Sequence, residues 1–327
     1  MVRQEIAKLI KQAAKEAGFI VEVAVKVDYP EDENHGDYAT NFALQTAKTI
    51  KLKPQDIANN LRSHILNLRS DLFEKIEIAE PGFLNFFISK QYLYKQVEDI
   101  LKQKDSFGNL VIGHGQKINI ESVSANPTGS LHIGNGRSAF FGDALANVLG
   151  KAGYKVIREY FVNDAKNSKQ IIELGKTALG KGETYKTPRI VDLLGKNKIS
   201  AKTEAEAGWQ LAQIIQAGNK DFLEKKLKIK FDEWVSEEKI IYQKNKINKI
   251  LEWLKKNNLV YEKDKAFWIK TSQFGDEKDW VVVRETGEPT YLLSDIAYHK
   301  DKFDQGFDKV IDIWGADHQA HVSKMKA

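Results

Sequence analysis

Between residues 117 and 179 the hydrophobic period switches repeatedly between two and about 3.6. Residues 117–123 (KINIESV) are rich in β-branched side chains and read as a strand. A loop then leads into a helix from about Leu131 to Ala152, with Gly153 as its stop. Lys155–Val162 reads as a second strand and about Asn167–Leu179 as a second helix. Strand–helix–strand–helix at this spacing is the pattern of a parallel sheet with crossover helices. The pattern resumes with the strand Trp280–Arg284, the helix Leu292–Phe303 and the apolar strand Lys309–Trp314. Residues 181–270 are mostly helical in pattern and interrupt the alternation, so they are expected to form an insertion. The predicted class is α/β over residues 106–327.

Residues 1–105 read differently. Ile6, Leu9, Ile10, Ala13, Ala14 and Ala17 recur at three- and four-residue spacing, which predicts a helix over 2–18 ended by Gly18. Val21, Val23, Val25 and Val27 alternate, which predicts a half-buried strand. A second helix is expected over 38–50. Pro54 suits the first turn of a third helix, carried on by Ile57, Leu61, Ile65 and Leu68. Two short strands, Ile76–Ala79 and Leu84–Ile88, flank the turn pair Pro81-Gly82. A helix over 90–104 and the turn-rich stretch Asp105–Gly115 close this small α+β domain.

Composition removes several classes of function. The chain has no cysteine, so disulfides, thiol catalysis and thiolate-held zinc are excluded and a cytoplasmic location is expected. No apolar run approaches the roughly 18 residues of a membrane span. The opening residues lack the apolar core of a signal peptide. The net charge of +5 is unevenly spread: residues 181–270 hold 20 Lys and Arg against 13 Asp and Glu. That stretch is either a solvated helical surface or a basic face for phosphate. Of the seven histidines, His318 and His321 are a close pair, but no third ligand type stands beside them, so no metal site is expected.

The segment joining the first strand of the sheet to its first helix is Asn126-Pro127-Thr128-Gly129-Ser130-Leu131-His132-Ile133-Gly134-Asn135. In an open parallel sheet, ligands bind at the carboxyl ends of the strands. A helix N-terminus there offers free N–H groups and partial positive charge to a phosphate. Gly129 and Gly134 permit close approach of backbone and ligand, and His132 is placed to donate to a phosphoryl oxygen. No Gly-Lys-Ser/Thr follows, so this is not a Walker loop. Taken alone, the same residues also suit a turn with no ligand.

Leu131-His132-Ile133-Gly134-Asn135 resembles the "HIGH" signature of class I aminoacyl-tRNA synthetases and related nucleotidyltransferases. Glu121 through Gly129 (ESVSANPTG), Gly142-Asp143-Ala144-Leu145 and Tyr160 through Ala165 (YFVNDA) are similar to the arginyl-tRNA synthetase version of that region. Arg284 through His299 (RETGEPTYLLSDIAYH) resembles that family's arginine-binding helix, and Trp314 through His321 (WGADHQAH) its next strand-end motif. Gly36 through Asn41 (GDYATN) and Pro81 through Phe86 (PGFLNF) resemble its extra N-terminal domain. The likeness runs in order along nearly the whole chain. It departs at Asn135, where the signature has histidine, and in lacking the mobile Lys-Met-Ser-Lys loop; Ser323-Lys324-Met325-Lys326 follows Gly315–His321 too closely to serve. It also lacks the family's C-terminal anticodon-binding domain, so a fragment of a longer enzyme is expected.

The resemblance implies a Rossmann-like catalytic domain, incomplete, over 106–327, preceded by a tRNA-binding α+β domain over 1–105. It implies arginine–tRNA ligase chemistry: ATP and L-arginine give arginyl-adenylate, and the arginyl group passes to tRNA(Arg). Magnesium would arrive with ATP, and a monomer is expected. His132 and Asn135 would stabilise charge on the phosphoryl oxygens. Arginine would meet Glu121, Asn126, Tyr291, Asp295 and Gln319. ATP would meet Gly129, His132, Gly134, Asn135, Gly315, Asp317, His318 and His321. Independently of the family, Tyr291 and Asp295 stand four apart and share one face of a helix, and a planar guanidinium demands carboxylate partners. Two other readings stay open: an adenylyltransferase or ligase acting on a small molecule, and a fragment that binds arginine or tRNA without catalysis.

Overall fold

The computed structural model describes residues 2–19 and 22–327, apart from the side chains of Asp317 and Ala320. The chain divides into two compact units, Met1–Phe107 and Gly108–Ala327.

The first unit contains α1 (Val2–Glu16), β1 (Tyr38–Thr40), α2 (Phe42–Ile50), α3 (Pro54–Arg69), β2 (Phe73–Ala79), β3 (Phe83–Ile88) and α4 (Lys90–Gln103). Its antiparallel sheet runs β1-β3-β2. One core joins Ile6, Leu9 and Ile10 of α1 to Ile57, Leu61 and Ile65 of α3 and to Leu84 and Phe86 of β3. Pro54 opens α3, where its missing N–H has no helical partner to lose.

The strand expected over 21–27 is not there. Val21 lies outside the described residues, and the segment after it has no ladder beyond a single bridge, Asp28 to Ala39. Val23 and Val25 are half-buried and Val27 buried, between exposed Glu22, Ala24 and Lys26. The period of two therefore records burial, but a strand also needs a partner edge, and β3 pairs instead with Tyr38–Thr40. That pairing displaces the start of the second helix from 38 to Phe42.

The second unit contains β4 (Lys117–Ala125), α5 (Ile133–Lys151), β5 (Lys155–Val162), α6 (Lys169–Ala178), α7 (Pro188–Lys196), α8 (Glu204–Asp221), β6 (Glu233–Ser236), α9 (Lys246–Lys256), β7 (Val260–Lys263), β8 (Ala266–Ile269), β9 (Trp280–Val283), α10 (Tyr291–Asp304), β10 (Lys309–Asp312) and α11 (Gln319–Lys326). Four strands form a parallel sheet in the order β10-β4-β5-β6. One layer of core packs Val123 and Tyr160 with Leu223, Ile229 and Phe231. Another packs Phe161 with Leu293, Ala297 and Tyr298 of α10.

Residues 181–270 do not simply interrupt this sheet. They supply its edge strand β6, and β7 and β8 pair antiparallel with β9 in a separate sheet. Trp280–Val283 therefore belongs to that second sheet and not to the parallel one. A four-residue strand such as β6, paired along one edge and flanked by lysines and acids, carries too few alternations to register as a period. Its ring contacts hold it in place: Trp234 stacks on Tyr160 at 4.3 Å between centroids.

Candidate active site

The chain turns at the carboxyl end of β4 into an exposed loop and then into α5. His132 is the N-cap of α5: its Nδ1 accepts from the backbone N–H of Gly134 at 3.1 Å and of Asn135 at 3.4 Å. Asn135 reciprocates, its Oδ1 accepting from His132 N–H at 3.1 Å. This is a capping box built from histidine and asparagine. An imidazole whose Nδ1 accepts carries its hydrogen on Nε2 when neutral, so the cap fixes the tautomer and leaves Nε2–H as a donor. The amide nitrogen of Asn135 is likewise left to donate. Gly134 is required by the cap itself, since a Cβ there would meet His132 Cε1 at 2.9 Å. A Cβ on Gly129 would meet nothing within 4 Å.

Two helices steady this loop. Asn219 of α8 donates to Gly129 O at 3.1 Å. Arg189 of α7 reaches Ser130 and, at 3.2 Å, Asn219. Asn126 is exposed at the head of the loop, and its carbonyl accepts from Thr128 N–H at 2.9 Å.

Beyond the ends of β5 and β6 lies a cavity of about 290 Å³. Asn167, Glu237, Tyr242, Thr290, Tyr291 and Ser294 are among the residues that line it. Tyr291 and Asp295 lie one turn apart on α10, as their spacing predicts. Glu237 follows β6 directly and is buried; burial pushes its carboxyl up to about 7, helped by the nearby charges of Asp164 and Asp295. Among the described residues it has no ion-pair partner. Asp164 itself is satisfied by Ser236, by Gln213 Nε2 at 2.9 Å and by Glu238 N–H at 3.1 Å. The spacing of residues gave no hint of Glu237, because it falls within the stretch read as an insertion. The usable signal was the short aromatic and β-branched run Phe231–Ser236 ending in a carboxylate.

Glu121 is buried on β4, as its place in the strand suggested, but its cation comes from the chain: Lys302 Nζ lies 2.7 Å from Oε2, and the Tyr298 hydroxyl donates to the same oxygen at 2.8 Å. After β10, Gly315 and His318 are exposed, Gln319 opens α11, and Asp317 is outside the described side chains. His321 Nε2 stands 2.9 Å from Asp295 Oδ2, and the rings of His318 and His321 lie 5.8 and 5.4 Å from that of Trp314. His321 is thereby brought to Asp295. Among the described residues no group of three or more acids or histidines is placed to hold a metal.

Residues 96–327 match the family model of the class I (R) tRNA synthetase catalytic domain. The chain belongs to that synthetase family. Residues 4–88 match the arginyl tRNA synthetase N-terminal domain. An arginine–tRNA ligase of Bacillus subtilis is 41% identical over 97% of the chain, which covers 61% of that protein. One of Anoxybacillus flavithermus is 40% identical over the whole chain, covering 62% of that protein. The chain thus spans about three fifths of the length of these relatives. The arginyl-tRNA synthetase structure from Plasmodium falciparum superposes with a TM-score of 0.63 over 99% of this chain and 61% of its own, and at 18% identity speaks for the fold. No helix among the described residues is long and apolar enough to cross a membrane.

Proposed function

We propose that this synthetase-family chain carries the amino-acid-activating part of an arginine–tRNA ligase. The observation that carries this reading is the buried acidic cavity at the strand ends, where Glu237 and Asp295 stand beside Tyr291. A guanidinium entering there supplies the positive charge that Glu237 lacks and can donate to both carboxylates at once. Tyr291 walls the alkyl stem. Asn126 and Gln319 are assigned to the amino and carboxylate end, and Glu121 acts at one remove, through Lys302 and Tyr298.

In the first step a carboxylate oxygen of arginine attacks the α-phosphorus of ATP. The bond to the bridging oxygen breaks, and pyrophosphate leaves with its magnesium. In the second, a terminal ribose hydroxyl of tRNA(Arg) attacks the arginyl carbonyl and AMP departs. Neither step needs a nucleophile from the protein; alignment and charge stabilisation suffice. His132 Nε2–H, Asn135 and the α5 N-terminus are aimed at the phosphoryl oxygens, while Gly129, Gly315, Asp317, His318 and His321 are assigned to the rest of ATP. The test is exchange of labelled pyrophosphate into ATP, with and without arginine and tRNA. Exchange that requires arginine supports the reading, and exchange driven by other amino acids contradicts it. Arginine binding without exchange points instead to a binding part of a longer enzyme.

Replacing His132 by alanine is expected to slow adenylate formation about 10²- to 10³-fold at unchanged arginine affinity. It should also cost roughly 1 kcal/mol of stability through the lost cap. His132→Asn should restore the stability and not the rate. Single-turnover kinetics and thermal unfolding on the two variants separate these contributions.

For tRNA, Lys226, Lys228 and Lys230 stand exposed while Leu227 and Ile229 between them pack inward. This segment follows α8, which anchors the Gly129 loop. Lys225 is held by Asp221 at 2.5 Å. The three free-standing lysines, with the N-terminal unit, are assigned to RNA phosphates. Changing the three to Gln is expected to weaken tRNA binding and to reduce the salt slope by about 1 for each phosphate left without its lysine. An unchanged slope across a salt titration contradicts the assignment.

A further inference from the structure

One row of the parallel sheet is acidic on every strand. Asp312 of β10, Glu121 of β4, Glu159 of β5 and Glu233 of β6 are register partners in turn. Neighbouring like charges repel, and burial makes each unpaired one costly. Three of the four are gathered by a single ammonium. Lys302 Nζ lies 2.7 Å from Glu121, 3.2 Å from Asp312 and 3.4 Å from Glu159, and Lys302 is 1% exposed. Burial alone would lower its pKa; the surrounding carboxylates raise it and keep it charged.

The neighbours of Lys302 on α10 join the same row. The Tyr298 hydroxyl donates to Glu121 and also meets Glu159. His299 Nε2 faces Asp312 Oδ2 at 3.0 Å, and its Nδ1 faces the carbonyl oxygen of Asp295 at 2.8 Å. Both ring nitrogens face acceptors, which suits an imidazolium donating from each. The carboxyl-terminal half of α10 is therefore keyed to the sheet by three polar side chains, and its amino-terminal half carries Tyr291 and Asp295. Lys302 is seven residues from Asp295, two helical turns or about 10.5 Å along the same face.

We propose that Lys302 is a positioning residue for arginine recognition: by gathering the acid row it seats α10 on the sheet and so sets where Tyr291 and Asp295 stand at the cavity. This rests on reading the cavity as the arginine pocket. A helix free to shift by a residue moves its side chains by about 1.5 Å along the axis. A displacement near 1 Å is enough to spoil an aligned site. ATP, assigned to the α5 N-terminus on the far side of β4's end, does not depend on α10 in this way.

The experiment is calorimetric titration of arginine and of ATP into the 327-residue chain and three variants. Lys302→Met removes the ammonium. Lys302→Met with Glu159→Gln removes one charge of each sign, which protects folding if the single variant is too unbalanced. Lys300→Gln is the control on the same helix, where Lys300 pairs outside the row with Asp304. Expected is a loss of arginine affinity of about tenfold or more in either Lys302 variant, with ATP affinity held and the control unaltered. A folded Lys302 variant with normal arginine affinity overturns the proposal. So does a proportional loss of both ligands, or a double variant that does not fold, either of which makes Lys302 scaffold alone. If the unaltered chain binds no arginine, the pocket reading and this inference fall together; if it binds arginine regardless of position 302, only this inference falls.

Discussion

Glutamine at position 237 is expected to weaken arginine binding by about 2–5 kcal/mol, the usual loss when one member of a buried charge pair is removed. At 1.4 kcal/mol per tenfold step, that is roughly 30-fold or more in dissociation constant. The wild-type affinity should also depend on pH. Burial raises Glu237 to about 7, so below that value the free protein holds the proton and a guanidinium must displace it. Affinity therefore rises between about pH 6 and 8 and levels off above, with a proton released on binding. Glu237→Gln should be flat over the same window. Without arginine the sign for stability is the reverse: the folded state holds this proton more tightly than the unfolded chain. Its contribution is present below the unfolded value of 4.5 and lost as pH rises toward 7. Calorimetry in two buffers of different ionisation heat counts the protons. A pH-independent wild type, or a glutamine variant that keeps both affinity and pH slope, would falsify the role of Glu237.

Gly208→Ala is expected to damage folding more than any other single methyl in the second unit. Propensity favours alanine within a helix by about 1 kcal/mol. Steric overlap reverses the sign. A Cβ at Gly208 of α8 would lie 1.8 Å from the carbonyl oxygen of Ile171 on α6, and one at Gly175 would lie 1.7 Å from Glu204 O. Both obstacles are backbone, so no rotamer can give way. The two helices would have to separate, opening the cluster of Ile171, Leu174, Ile190, Leu211 and Ile215. The expected cost is about 3 kcal/mol or more, which for a unit of this size lowers the unfolding midpoint by roughly 6–12 °C. Gly195→Ala, in α7 with nothing within 4 Å of the new methyl, should be neutral or stabilising. Paired thermal melts decide the matter, and equal midpoints for the two variants would refute the close helix crossing.

Local pattern carried much of this structure because local forces set it. The strands β4 and β5, the helices α5, α6 and α10, and the pairing of Tyr291 with Asp295 all follow from period and caps read over ten to twenty residues. What escaped depends on partners distant in sequence. β1 and β6 are short strands defined by the neighbours they pair with, Phe86 and Phe161 among them. The valines at 23, 25 and 27 show the opposite case, a strand-like period without a ladder. In the site, His132 was legible as a helix-start residue next to a ligand. Its capping role, which decides the ring's tautomer, was not, because histidine is an uncommon cap. Glu121 was legible as a costly buried carboxylate. That Lys302 answers it could not be seen across 181 positions of sequence.

The central claim is that the cavity beside Glu237, Tyr291 and Asp295 selects a guanidinium. Calorimetric titration of the 327-residue chain with arginine and then with citrulline tests it most directly. Citrulline keeps the shape and length of arginine and replaces the charged guanidinium by a neutral urea. Arginine is predicted to bind, with citrulline weaker by at least about 30-fold because it leaves two carboxylates unneutralised. Equal affinity for the two, or tighter binding of citrulline, would contradict the account.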